Sequence, residues 1–169
     1  HQTKKRVTEG LEELRYNTSG VHRRIAVAVA AMWKQVLGVH TELINEEWKV
    51  FVNNRTMGIV TEVFRGGWIA DYADPGSFLD LFISGSSLNN TFYGNSGFDE
   101  LMVRAAAAGG AGRMDLLQRA EAQLIQDMPV IPLYYYVSRH LVSPAVRGFE
   151  NNVRDIHLSR YLELETSEP

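Results

Sequence analysis

The chain has 169 residues, 45% of them hydrophobic and 22% charged, and a formal net charge of −3. These values are typical of one folded globular domain, and the negative charge gives no basic face for nucleic acid. Cysteine is absent, which excludes disulfides, thiolate nucleophiles and cysteine-ligated metals. The five histidines are scattered without metal-ligand spacing, so we predict no metal site and no cofactor.

The first part of the chain alternates between strand and helix patterns. Residues 1–10 are polar and aperiodic, and we interpret them as a tail or as the end of an element. LEELRYN (11–17) predicts a short strand. Apolar residues then recur at helical spacing over residues 21–36, and Gly38 predicts the end of this helix.

A second strand, helix and strand follow. VHTELI (39–44) alternates strictly and predicts a strand. Asn45, followed by two acidic residues, predicts the start of a helix that ends at Gly58. IVTEVF (59–64) predicts a third strand. Because the strands alternate with helices of about 11 residues or more, the pattern predicts a parallel α/β sheet.

The second half of the chain is mainly helical in pattern. Asp74 and Pro75 predict the start of a short helix, SFLDLFI (77–83), and a polar loop follows over residues 84–95. FDELMVRAAAA (98–108) and RMDLLQRAEAQLIQDM (113–128) predict two helices separated by GGAG.

The end of the chain has a weaker pattern. MPVIPLYYYV (128–137) predicts a strand at a sheet edge, because it contains two prolines. In a strand, Tyr134 and Tyr136 share one face, and tyrosines on a sheet face usually pack in a core. From Ser138 the sequence is irregular, and YLELE (161–165) predicts a terminal strand.

Candidate binding residues lie beside the predicted third strand. RGGW (65–68) follows its carboxyl end, where ligands bind in open α/β sheets. Asp71 either pairs with a bound ammonium group or caps the turn, and Trp68 lines a pocket or fills the core; residue chemistry leaves both alternatives open. His22 lies at the start of the first long helix, where an anion would be favoured.

Four stretches resemble the periplasmic oligopeptide-binding proteins, the solute-binding components of ABC peptide importers in extracytoplasmic solute-binding family 5. They are YNTSGVHRRIAVAVAAMWKQVLGV, the EW pair, RGGWIADYADPGSFLDLF with its later NN, and IPLYYYVSRHLVSP. The likeness covers only the carboxyl-terminal third of such a protein. It implies part of a periplasmic-binding-protein type II lobe, a mixed and mainly parallel sheet flanked by helices (11–137), and a hinge and return segment (138–169).

The resemblance also implies site residues. Asp71 corresponds to the aspartate that receives the peptide's α-amino group. His22, Arg55 and Arg65 correspond to cations that receive peptide carboxylates. Trp48 and Trp68 line side-chain pockets, and Tyr136 lies near the hinge and the ligand. No catalytic residue is implied.

The resemblance implies a peptide ligand, permease subunits as partners of the full-length protein, and a periplasmic or extracytoplasmic location. Because most of the second lobe is not in this sequence, we expect the chain alone to bind peptide weakly or not at all. Two alternatives stay open. One is a small α/β enzyme acting on an amine or amino acid through Asp71 and His22. The other is an interaction domain with the same fold that does not take part in transport.

Overall fold

The computed structural model describes residues 12–58 and 63–165. The described residues divide into two compact units, one ending at Gly67 and the other beginning at Trp68. The predicted tail, residues 1–10, lies outside the described residues. In the described part of the chain, no helix is both long enough and apolar enough to cross a membrane.

Three parallel strands form the sheet of the first unit. The central strand is β1 (Glu13–Asn17), with β2 (Glu42–Glu46) on one side and β3 (Val63–Phe64) on the other. Both neighbours run parallel to β1. The parallel α/β sheet predicted from the alternation of strands and helices is therefore confirmed. Residues 59–62 of the predicted third strand lie outside the described residues.

Two helices connect these strands. The first, α1 (Gly20–Leu37), ends at Gly38, whose left-handed φ of 74° is easily adopted only by glycine. The second, α2 (Trp48–Thr56), has 9 residues, which is shorter than predicted. The core beneath them contains buried and partly buried apolar side chains. These are Leu14, Tyr16, Ala26, Val29, Leu43 and Val63.

The predicted boundary between β2 and α2 is wrong by about two residues. Asn45 does not cap the helix but continues β2, and Glu47 is the capping residue. Its carboxylate accepts hydrogen bonds from the backbone N–H groups of Lys49 (2.8 Å) and Val50 (3.4 Å). Glu46 stays in the strand because its buried carboxylate pairs with Arg15 of β1 at 2.6 Å. A tertiary ion pair thus overrides the local helix-start signal.

The second unit is built on helices. A short helix, α3 (Gly76–Leu79), continues into a 3₁₀ turn, and α4 (Ser96–Ala107) and α5 (Gly110–Asp127) follow. Helix α5 begins inside the GGAG segment that was predicted to separate it from α4. The loop predicted over residues 84–95 is confirmed apart from its helix-capping end. The buried core is shared by the three helices. It contains Leu79, Phe98, Met102, Ala105, Leu116, Leu117, Ala120 and Leu124.

The segment after α5 differs from its prediction. Residues 129–137 form no strand among the described residues, and the tyrosines predicted to pack in a core are exposed, Tyr135 at 96%. The prolines in this segment lack a backbone N–H, and no described strand pairs with it. Further on, β4 (Val146–Arg147) pairs antiparallel with β5 (Glu163–Leu164), which confirms part of the predicted final strand. The predicted boundary between residues 137 and 138 stays a prediction.

Candidate functional site

The loop that carries Asp71 has a fixed backbone and a free carboxylate. The backbone N–H of Asp71 donates to the hydroxyl of Ser77 at 2.7 Å, and Ser77 is buried at the start of α3. The carboxylate of Asp71 is exposed and makes no hydrogen bond or ion pair with any described residue. Since turn-capping would engage that carboxylate locally, the geometry favours a group that points outward from a rigid loop.

Asp74, three residues further on, has the opposite role. Its Oδ1 accepts a hydrogen bond from the backbone N–H of Gly76 at 2.7 Å, so it starts α3 as predicted. Its carboxylate also binds the guanidinium of Arg113, with Nη2–Oδ1 at 2.8 Å and Nε–Oδ2 at 3.1 Å. These hydrogen bonds, first from Arg113 and then from Gly76, hold the pKa of Asp74 below its ordinary value. The role of Arg113 could not be predicted from the sequence, where it is only a cation in the first turn of a predicted helix.

Tight packing around Gly76 accounts for a glycine at this position. A Cβ there would lie 2.8 Å from Asp74 Oδ1 and 3.0 Å from Arg113 Nη2, closer than carbon normally approaches these atoms. Next to it, the hydroxyl of Tyr72 donates to Asp80 at 2.8 Å, and this bond raises the pKa of Tyr72 to about 12. Asp74, Tyr72 and Ser77 therefore brace the loop, while Asp71 is left unpaired.

A cluster of aromatic and cationic side chains lies in the first unit. Its centre is Phe51, which is 1% exposed. The ring of Trp48 stacks beside it with centroids 6.2 Å apart, and the ring of Phe64 meets it edge-on at 5.6 Å. The guanidinium carbon of Arg55 lies 5.4 Å from the Phe51 ring centroid, within cation–π distance.

The charge of Arg55 is unfavourably placed in this cluster. Its buried Nε makes no hydrogen bond with any described residue. Burial in the first place, and the positive charge of Arg65 in the second, lower the pKa of Arg55. Arg65 donates its backbone N–H to the carbonyl of Arg15 at 2.8 Å, and its guanidinium folds over Gly67. A bound anion would offset the repulsion between these two like charges.

His22 lies in the first turn of α1, as predicted. Its Nδ1 is enclosed and has no hydrogen-bond partner in the part of the chain that the structure describes. The capping residue Ser19 makes no side-chain hydrogen bond to the helix, and no acidic residue lies in the first turn. The start of α1 therefore keeps its positive end uncompensated, which favours an anion there. Arg23 and Arg24 are exposed.

The structure brings some of the predicted site residues together. Trp48 and Arg55 meet at Phe51, a residue that sequence reasoning missed, and the charge of Arg65 acts on Arg55. Trp68, 40% exposed, and Asp71 share one loop of the second unit. Tyr136 is 70% exposed, and among the described residues it has no hydrogen-bond or ring contact.

The expectation that the histidines are scattered is wrong for two of them. His140 and His157 meet at the carboxylate of Asp155. They are 17 positions apart in the sequence. Their contact depends on the conformation of the intervening chain, which the spacing does not predict.

Comparison with known proteins places these features in a family. Residues 2–90 match the family described as "Bacterial extracellular solute-binding proteins, family 5 Middle". The chain is 44% identical over 138 residues to the periplasmic oligopeptide-binding protein OppA of Salmonella typhimurium, covering 81% of this chain and 25% of the relative. It is 37% identical over 149 residues to the periplasmic murein peptide-binding protein MppA of Escherichia coli, covering 87% and 28%. The chain thus spans about a quarter of the length of these curated relatives.

The fold leads to the same family. The solved structure of Haemophilus influenzae OppA in complex with the peptide RPPGFSPFR matches with a TM-score of 0.81 at 35% identity, covering 90% of this chain and 30% of that one. This likeness confirms the predicted periplasmic-binding-protein type II architecture. The family match covers more than half of the sequence and contains the loop and the aromatic cluster described above. The chain belongs to family 5 of the bacterial extracellular solute-binding proteins.

Proposed function

We propose that this chain supplies sockets for the charged ends of a peptide within the solute-binding component of an ABC peptide importer. The observation that carries the proposal is the unpaired carboxylate of Asp71 on a loop whose other polar groups are engaged. A carboxylate held in this way is ready to accept hydrogen bonds from an ammonium group, with no local partner to displace. Asp71 is therefore the receptor for the peptide's α-amino group.

The cations of the first unit receive carboxylates. Arg55 and Arg65 repel each other, and His22 has an enclosed nitrogen without a partner. An anionic ligand relieves each of these conditions, since it offsets the like charges and satisfies the free donors. Peptides of different lengths carry their terminal carboxylate to different members of this set.

Aromatic side chains provide the walls of side-chain pockets. Trp48 and Trp68 are 56% and 40% exposed, so each presents a large apolar surface to solvent. Flat, rigid surface of this kind accepts many side chains without requiring one of them. Tyr136, on the exposed segment after α5, contributes a further aromatic contact at the hinge.

The relatives suggest the biological setting. Those of Salmonella typhimurium and Escherichia coli are periplasmic proteins, named for binding oligopeptides and murein peptides. We infer a periplasmic or extracytoplasmic location, permease subunits as partners, and binding rather than catalysis for the protein that contains this chain.

A peptide with a free or an acetylated amino terminus tests the role of Asp71. The matched segment of Salmonella typhimurium OppA is replaced by this chain, and isothermal titration measures binding of Lys-Ala-Lys and its acetylated form. We expect Asp71→Asn to weaken binding of the free peptide by about tenfold or more, and to leave the weaker acetylated peptide unchanged. Asp115→Asn, on the exposed face of α5, is the matched control.

The same experiment separates the alternatives. Equal effects of Asp71→Asn on both peptides would contradict the amine socket. Peptide binding insensitive to Asp71 and Arg65 substitutions would favour an interaction domain, and turnover of the peptide would favour an enzyme. For the isolated chain we expect weak or undetectable binding, and submicromolar affinity would overturn that expectation.

A further inference from the structure

Two histidines and one aspartate meet in the last part of the described chain. His140 Nε2 lies 2.7 Å from Asp155 Oδ1, and His157 Nε2 lies 3.1 Å from the same oxygen. One potential metal-ligand atom from each residue lies within 4.8 Å of the other two. No predicted peptide-binding residue belongs to this cluster, so the proposed function leaves it without a role.

Phe149 holds both imidazole rings in place. Its ring stacks on His157 with centroids 3.9 Å apart and an interplanar angle of 14°. It also meets His140 at 5.2 Å and 60°. The two imidazoles pack edge to face, 4.9 Å apart. Because each ring contacts two others, their Nε2 atoms have little freedom to turn away from Asp155.

A hydrogen-bonded loop positions the carboxylate. Oδ1 of Asn152 accepts from the backbone N–H groups of Arg154 and Ile156, each at 3.2 Å, and Nδ2 of Asn152 donates to the carbonyl of Ile156 at 2.9 Å. Within this loop Asp155 adopts a left-handed φ of 53°, a conformation that aspartate tolerates better than most residues. The backbone thus delivers the carboxylate between the two rings.

We propose that His140, Asp155 and His157 bind a divalent transition metal ion, for which Zn²⁺ is the best fit. Two imidazole nitrogens and one carboxylate oxygen form a donor set that Zn²⁺ accepts in proteins, at about 2.0–2.2 Å from each donor. Donors around one tetrahedral ion stand about 3.4 Å apart. The present 2.7 Å and 3.1 Å separations therefore need to widen by less than about 1 Å.

The cluster is accessible to an ion from solvent. The side chains of His140 and Asp155 are 33% and 35% exposed, whereas His157 is 13% exposed. His157 also lines a surface cavity of about 400 Å³. Three protein donors leave one position of a tetrahedral ion for water.

Zinc titration of the whole chain tests the site. All proteins carry His1→Ala, so that the terminal imidazole does not compete. Isothermal titration with Zn²⁺ should show one saturable site, and His140→Ala and His157→Ala should each weaken it by at least about tenfold. Asp155→Ala should weaken it similarly. His40→Ala, which removes a histidine outside the cluster, should leave the affinity unchanged within about twofold.

A second measurement needs no change at the site. In proton NMR spectra of the His1→Ala chain, Zn²⁺ should shift or broaden the ring signals of His140 and His157 and leave those of His40 in place. If the three residues only form a hydrogen-bonded cluster, the affinity will be the same with or without His140 and His157, and their signals will not respond selectively. Either result overturns the metal site.

Discussion

Arg113 forms a bidentate ion pair with Asp74, with Nη2–Oδ1 at 2.8 Å and Nε–Oδ2 at 3.1 Å. The remaining guanidinium nitrogen, Nη1, donates to the carbonyl of Ala105 at 2.6 Å, near the end of α4. One side chain therefore ties the loop before α3 to both long helices of the second unit. Because Asp74 fixes Gly76, and Ser77 holds the backbone of Asp71, the orientation of the proposed amine socket depends on a residue 42 positions away.

Replacing Arg113 should loosen this loop. In Arg113→Gln, Asp74 loses its bidentate partner while the core is unchanged, so the loop opens more often. We expect the backbone N–H groups of Asp71 and Gly76 to exchange with solvent about 5- to 30-fold faster, measured by hydrogen–deuterium exchange. Arg119→Gln is the control on the same helix, because its contact with Asp115 is exposed and 4.0 Å long. Equal exchange in both variants would contradict the bracing role.

The same ion pair should make stability depend on pH. The folded-state pKa of Asp74 lies below its ordinary value of 3.8, because Arg113 and the N–H of Gly76 stabilise the carboxylate. Its contribution is therefore complete above pH 3.8 and lost as the pH falls through the lower folded value. The free energies of unfolding of the wild type and of Asp74→Asn, measured with urea, should differ most near neutral pH and become equal in strong acid. Other acidic groups titrate in both proteins, so their contributions cancel in the difference between the two free energies of unfolding. A difference that grows as the pH falls would contradict this assignment.

The sequence predicted those features of the fold that local periodicity and capping determine. Helical spacing and Gly38 located α1 closely, and the alternation of elements predicted the parallel sheet. The boundary at Asn45 could not be found locally, because the buried pair of Arg15 with Glu46 decides it. The strand predicted over residues 128–137 is wrong, because a strand needs a partner and neither propensity nor pattern supplies one.

The candidate site, like the fold, could be predicted from the sequence only in part. The family resemblance pointed to Asp71 and Arg55, and their roles in binding stay predictions. In the described residues the carboxylate of Asp71 has no partner and Nε of Arg55 has no hydrogen bond. Phe51 and Arg113 were missed because an apolar residue or a helix-start cation has no distinctive sequence signal. The meeting of His140 with His157 depends on an intervening loop with a left-handed aspartate, which no spacing rule encodes.

The core of the second unit should depend strongly on Leu117. Its side chain is 1% exposed and lies among the buried residues of α4 and α5, so Leu117→Ala leaves a cavity that close packing cannot fill. We expect a loss of about 2–5 kcal/mol in the free energy of unfolding, measured by urea denaturation. Leu141→Ala makes the same chemical change at a fully exposed position and should cost less than about 0.5 kcal/mol. Similar losses in the two variants would show that the buried cluster is not the core of this unit.

Arg55 should show opposite effects on stability and on binding. Arg55→Met keeps an unbranched side chain against Phe51 but removes a charge that is partly buried, without a hydrogen bond at Nε, and repelled by Arg65. The urea midpoint of the chain should therefore stay level or rise, although the cation–π contact is lost. In the OppA chimera, affinity for Lys-Ala-Lys should fall by about tenfold, and amidation of the peptide's carboxyl terminus should remove that difference.

Arg104→Met, which removes an exposed arginine of α4, is the control and should change neither the urea midpoint nor the peptide affinity appreciably. A destabilised Arg55→Met chain with unchanged peptide affinity would instead make Arg55 a structural residue, because its charge would then serve the fold and not the ligand.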